Sequence, residues 1–457
     1  MELHSPIYLL FLVVAAAMLT VVRSRAGRML LFLGLSYGFY LGWSATLLVL
    51  LLASSLFNFI MFRLLGRHRS SSLIWLGVAV NLLILLSARS LSTWLAPAVC
   101  DLGLLPVGVS FYTMQGLGSL IDRYRGYDEQ PSMLEFLVFM ALWPVILAGP
   151  ICRLPEMLPQ FRQTHARVEA RWEGIQRIVL GLFMKVVLAD SLAQGLFGRG
   201  GVDTGFDQAQ VWSSTDVVAL AFGYGLQLFF DFAGYSHIAI GSALLVGIRL
   251  RENFRSPFEA ISPSDFWTRW HVSLSSWIRD YVFFPLAARW RSQNGRLLAV
   301  VGAMCVFGAW HGLAATFVIW GLYHGLVLVI QRVLERSSLP ILNAPSIVRW
   351  ALTFLFINMG WILFRVDSLE QAGRMYGALF SIGQPSSSLS ASFQAVVIAM
   401  MAGHLLLCAL RPWFLKWTDG KKIQAVFRLV SPAYVAAMLL LTLAWGEGQS
   451  PFVYVQF

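Results

Sequence analysis

Asp265–Leu286 reads DFWTRWHVSLSSWIRDYVFFPL, and Gly308–Gly312, inside an apolar run, reads GAWHG. His271 and His311 lie here, each beside a tryptophan. The chain around them is poor in ionisable groups: 12% of residues are charged and 58% are hydrophobic. Soluble domains carry about 25% charged residues. Half that fraction, with many apolar runs of roughly 15–20 residues, predicts an all-α polytopic membrane protein. A transmembrane barrel would alternate over segments of ~10 residues, and no such pattern is present.

The net charge of +11 does not point to nucleic acid. The basic residues gather in short stretches, such as Arg23, Arg25, Arg28 and Arg63, Arg67, Arg69, as cytoplasmic loops require. Cys100, Cys152, Cys305 and Cys408 are scattered, so neither a disulfide framework nor a metal site is expected. The first apolar run, Pro6–Val22, is followed rather than preceded by basic residues. That is the reverse of a secretory signal and predicts a retained span with its N-terminus outside.

Apolar runs and basic turns then alternate, for about 12 crossings in all. Leu104–Ile121 is rich in Gly, Ser and Gln, so it should face other helices rather than lipid. Pro131–Pro150 has basic residues on both flanks. This predicts a re-entrant or broken segment, with breaks at Pro144, Gly149 and Pro150. Gly198–Ser214 reads as a polar external loop. Trp212–Gly247 is too long for one crossing, and Asp231, Gly234, Tyr235, Ser236 and His237 interrupt it. They mark either a functional site or an interfacial turn between two helices. No internal repeat is present, which weighs against inverted-repeat transporters. The expected organisation is one integral-membrane domain over residues 1–457. It has peripheral spans in 1–100, a catalytic core in 104–365 and C-terminal spans in 393–457.

Ser262–Arg291 has the pattern of an interfacial amphipathic helix. Ser262 can cap it, Pro263 suits the first position, and Asp265 follows three residues after the cap. At ~100° per residue, Phe266, Trp267, Trp270, Leu274, Trp277, Ile278 and Tyr281 fall within about 120°. His271 lies on the edge of that stripe, and Arg269, Ser273, Ser276 and Asp280 lie opposite. The apolar run between Arg296 and Arg332 is short for two spans, which need roughly 40 residues and a turn. Along a helix His311 lies about 22 Å from Arg296, within a hydrocarbon core ~30 Å thick. A hairpin tip carrying His311 inside the membrane is therefore expected.

A neutral imidazole can take a proton from an alcohol and return it to a leaving thiol, and burial keeps it neutral. No G-x-S-x-G, P-loop or HExxH motif accompanies these histidines. A His-centred acid/base site for moving a small acyl group remains. His324 and His404 read instead as helix–helix hydrogen-bonding residues, and Trp310 and Trp267 as packing.

Seven stretches in order resemble the membrane-bound O-acyltransferase superfamily, in its bacterial alginate O-acetyltransferase-like branch. They are PVGVSFYTMQGLGSLIDRYRG, ILAGPICRLPEMLPQF, LQLFFDFAGYSHIAIG, ENFRSPF, the Asp265–Leu286 stretch, GAWHGLAATFVIWGLYHG and the terminal PFVYVQF. The resemblance implies a ring of helices around a thinned centre, with His311 as the catalytic histidine of the WHG motif and His271 as the second family histidine. Supporting residues would be Trp310, Gly312, Trp267, Trp270, Asp265, Asp280, Tyr235 and His237. Two departures stand out. The family's GYSD is GYSH here, placing His237 where a carboxylate is usual, and PLGG is PLAA at Pro285–Ala288.

The expected activity is O-acyl transfer without a bound cofactor or metal. Acetyl-CoA or an acyl-carrier thioester would enter from the cytoplasm, drawn by Arg269 and Arg279. The acceptor would be an exported polysaccharide such as alginate or cellulose. It would be reached directly or through a periplasmic acetyltransferase or polysaccharide-synthase partner, at the bacterial cytoplasmic membrane. D-alanyl transfer, a glycan or lipid transporter with a histidine proton relay, and an anchor for a periplasmic enzyme are the alternatives.

Overall fold

The apolar stretches form helices, and the computed structural model holds no strand among the residues it describes. Those are residues 3–94, 108–147, 149–163, 168–195, 200–207, 212–337, 344–380, 389–418 and 421–445. Cys100, His165, Leu104–Val107, part of the Ser-rich stretch after Gln384 and the terminal PFVYVQF lie outside them. Several helix starts follow capping chemistry. The hydroxyls of Ser5, Ser24, Ser44, Ser262, Ser292 and Ser368 each accept a first-turn N–H that has no partner within the helix.

Four helices are long and apolar enough to cross a membrane: Ala45–Arg67, Ser214–Leu245, Ala315–Leu334 and Ser346–Arg365. Shorter apolar helices include Pro6–Val21. Large apolar side chains stand exposed on them, including Ile7, Leu10, Val13 and Val21 on the first helix and Leu326 and Ile330 on another. An extensive apolar exterior of this kind is the surface that lipid covers.

The chain divides into two compact units. The first comprises, among the described residues, those of Met1–Gly181 and Tyr235–Glu252. Its Val109–Arg125 helix is buried on nearly every side, as its small and polar residues predict. Asn58 and Asn81 exchange amide hydrogen bonds at 3.1 and 2.9 Å. The Asn58 amide lies where a side chain on Gly116 would collide with it. The Pro131–Pro150 stretch is indeed broken, but at Leu142, between Met133–Ala141 and Trp143–Ile146. Ser132 and Glu135 form a capping box there, and Arg25 and Arg162 pair with the Glu135 carboxylate.

The second unit comprises Leu182–Gly234 and Asn253–Pro451. The Gln293–His311 and Ala315–Leu334 helices form a tight hairpin within it. An added Cβ at Gly308 would lie 2.2 Å from the Phe317 carbonyl oxygen, and one at Gly321 would lie 2.3 Å from that of Met304. Only glycine allows so close an approach.

Three expectations are corrected. Residues 212–247 contain no turn between two helices: Ser214–Leu245 is one continuous helix. Its polar residues need no turn because each that interrupts the pattern finds a partner. Asp231 meets Lys185, Tyr235 meets His4, and His237 meets Arg177. The polar loop at Gly198–Ser214 contains a short helix, Val202–Asp207, with Val202 and Phe206 buried. Ser262–Arg291 is not one amphipathic helix. It splits into Pro263–Arg269, Val272–Ile278, a π-helical turn at Arg279–Phe283 and Phe284–Arg289.

Candidate active site

The break between Pro263–Arg269 and Val272–Ile278 falls at His271, which adopts the left-handed backbone with φ 42° and ψ 54°. An extended neighbour causes it. Arg255 N–H donates to the Arg269 carbonyl at 2.9 Å, and Val272 N–H donates to the Asn253 carbonyl at 2.8 Å. These groups would bond i to i−4 in an unbroken helix. Ser273 N–H donates to Asn253 Oδ1 at 3.2 Å. The ENFR segment thus takes the bonds that would have continued the helix. Beyond the break, Ser273 is buried instead of facing solvent.

His271 is fully buried. Its Nδ1 lies 3.1 Å from Asn253 Oδ1, and its ring meets Phe232 edge-on at a centroid distance of 4.6 Å. The ring lies outside the four spanning helices, and burial pushes its pKa down to about 3. His311 ends the Gln293–His311 helix and is also buried. Phe307, Trp320 and Phe364 surround it, at 5.6, 5.5 and 4.8 Å. Both imidazoles pack on one indole: Trp310 is 6.0 Å from His271 and 4.8 Å from His311.

The other expected residues divide clearly. Trp267 joins the cluster through Phe307 at 5.0 Å and Trp320 at 5.8 Å. Trp270 packs on Phe254 at 5.1 Å and Trp361 at 5.0 Å. Gly312 closes the helix where a side chain would strike the Phe317 ring. Asp265 is occupied as a cap and helix-face residue: Oδ2 accepts from Ile261 N–H, and Oδ1 pairs with Arg269 at 2.7 Å. Arg269 also meets Glu259 at 3.5 Å, so carboxylates already surround its guanidinium. Arg279 is more exposed and pairs with its neighbour Asp280 at 2.8 Å.

Tyr235 and His237 belong to the first unit. Tyr235 bonds His4 Nδ1 at 2.8 Å. His237 Nδ1 lies 3.3 Å from Arg177, which also grips Glu252 at 2.8 and 2.5 Å. A guanidinium only donates, so Nδ1 of His237 is an acceptor. His324, read as a hydrogen-bonding residue, lies among Trp267, Trp320 and Tyr323, and its buried Nε2 has no bond partner among the described residues.

Sequence reasoning missed two groups. Asn253 gave no signal within the His271 stretch, being 18 positions upstream. Lys185 was hidden in an apolar run. It sits in a π-helical turn, Phe183–Ala189, and bonds Asp190 at 2.8 Å and Asp231 at 2.9 Å, with all three side chains buried. A lysine and an aspartate five positions apart in a candidate span were the available signal.

Comparison with known proteins shows the family of the chain. Residues 30–370 match the model of MBOAT, the membrane-bound O-acyltransferase family. The chain belongs to the membrane-bound O-acyltransferase family. It is 32% identical to the probable alginate O-acetylase AlgI of Pseudomonas putida, over 94% of each chain. It is 36% identical to the probable alginate O-acetylase AlgI of Pseudomonas fluorescens, over 79% of this chain and 72% of the relative. It is 34% identical to the peptidoglycan O-acetyltransferase of Helicobacter pylori, over 59% of this chain and 55% of the relative. The protein is a membrane O-acyltransferase.

Proposed function

We propose that this O-acyltransferase moves an acetyl group from a cytoplasmic thioester, acetyl-CoA or an acyl carrier, toward hydroxyls of an exported polysaccharide such as alginate or cellulose. The observation that carries this reading is the pair of buried imidazoles on Trp310, His271 and His311, in a cluster otherwise aromatic. His311 acts as general base. The acceptor O–H bond breaks as its oxygen bonds the acyl carbon, the C–S bond breaks, and the proton reaches the leaving thiolate. His271 shares the proton. The aromatic shell excludes water that would otherwise hydrolyse the thioester.

Two relatives carry names that point to polysaccharide hydroxyls, of alginate and of peptidoglycan. The protein works as a multi-pass protein of the bacterial cytoplasmic membrane. It delivers the group directly or through a periplasmic acetyltransferase or a polysaccharide-synthase subunit. Arg279 is the more exposed of the two arginines and pairs with one carboxylate where Arg269 pairs with two, so it suits the donor's phosphates better.

The test is His311→Ala in cells whose own copy is deleted. Mass spectrometry of the exported polymer should show acetyl groups with the wild-type protein and none with the variant, at equal membrane abundance. Full acetylation by the variant overturns the base assignment. A D-alanyl or other acyl group in place of acetyl overturns the donor assignment.

A further inference from the structure

We infer that Asn253 is a positioning residue that sets the tautomer of His271, holding the proton on Nδ1 and leaving Nε2 as the proton-accepting nitrogen. The inference rests on the proposed proton-sharing role of His271 and goes beyond it.

The argument is one of donor and acceptor identity. Asn253 Oδ1 receives Ser273 N–H at 3.2 Å, and a backbone amide can only donate, so this atom is the carbonyl oxygen. The Ser273 hydroxyl donates to the same oxygen at 2.9 Å. His271 Nδ1 is 3.1 Å from it. Two acceptors facing each other at that distance would repel, so Nδ1 carries the hydrogen. The Ser273 hydroxyl, 3.5 Å from Nδ1, is already directed to Asn253. The lone pair therefore belongs to Nε2.

The surroundings are built to keep this arrangement. Asn253 is itself fully buried. Its backbone carbonyl accepts Val272 N–H, so one residue grips the His271 turn by main chain and side chain together. Phe232, Phe254 and Trp310 pack against His271 and do not titrate. Several titratable groups on the elements carrying these contacts have contacts of their own. Asp231 bonds Lys185, Arg269 pairs with Asp265 and Glu259, Arg255 is exposed, and His311 stacks on Phe307. The group that faces Nδ1 is thus the neutral Asn253 carbonyl, and it decides the tautomer.

The test is Asn253→Asp, which keeps an acceptor for Ser273 and His271 but adds a negative charge. A carboxylate at hydrogen-bond distance favours the imidazolium, so the acid limb of the pH–rate profile should move up by about 1–3 pH units. An active variant with an unchanged profile overturns the inference. Imidazole 15N NMR of the wild-type protein, with the His271 signal identified by its loss in His271→Gln, supplies a second readout independent of whether Asn253→Asp accumulates. A protonated Nδ1 supports the inference and a protonated Nε2 overturns it. His311→Ala runs in parallel. If that variant is inactive and Asn253→Asp leaves the profile unchanged, only the tautomer inference fails. If His311→Ala is fully active, the proposed base fails instead, while the NMR result still decides the tautomer.

Discussion

His271 carries a conformation that costs a residue with a Cβ about 1–2 kcal/mol. Backbone and side-chain bonds from Asn253 hold it there. Burial adds a pH dependence. The folded pKa, about 3, lies below the ordinary 6.5. The unfolded chain therefore takes up the proton first, and stability present above pH 6.5 falls as pH drops toward 3. His271→Gln should remove this part of the loss when thermal midpoints are followed against pH in detergent. An identical acid-side slope in the variant would mean that His271 is not held neutral. Trp310 bears on both imidazoles, so Trp310→Ala should cost about 3–5 kcal/mol of stability. Trp310→Phe should retain most of that stability, as judged from the thermal midpoint.

At the scale of elements, two devices stand out. The hairpin of Gln293–His311 and Ala315–Leu334 depends on main chains packed against glycine. Gly308→Ala would force the Phe317 carbonyl away and displace His311 three residues on. It should lower acyl transfer sharply and reduce stability by about 1–3 kcal/mol, read as membrane abundance and thermal midpoint. The second device is the buried Lys185–Asp190–Asp231 group. Lys185→Met would leave two carboxylates buried without their cation, a loss of about 3–5 kcal/mol. Replacing Lys185, Asp190 and Asp231 together with apolar residues of similar volume should recover much of that. A triple variant that unfolds as readily as Lys185→Met would show that the group does more than offset its own burial.

For the whole molecule, the donor and acceptor are expected on opposite sides of the membrane. Inside-out vesicles carrying the protein should consume externally added acetyl-CoA, and sealed right-side-out vesicles should not. Equal consumption by both would contradict entry from the cytoplasm. The two compact units have separate polar centres: Asn58–Asn81 and Arg177–His237–Glu252 in the first, and the histidine cluster and Lys185 group in the second.

The sequence by itself determined the membrane-embedded helical class, the cap at Ser262, and the two histidines on which the chemistry is proposed to turn. Those properties are local. Hydropathy, Ser before Pro263, and a WHG motif can all be read in a short window. The break at His271, the continuity of Ser214–Leu245 and the partner of each buried polar group were decided only by tertiary structure. A helical wheel assumes that each N–H bonds within its own helix. Here Asn253 and Arg255, far outside the window, compete for those bonds and win. Likewise Asp231 sits inside an unbroken helix because Lys185, distant in sequence, offsets its charge. Polar pairing over long separations decides where a helix stops, and no stretch of sequence read alone contains both partners.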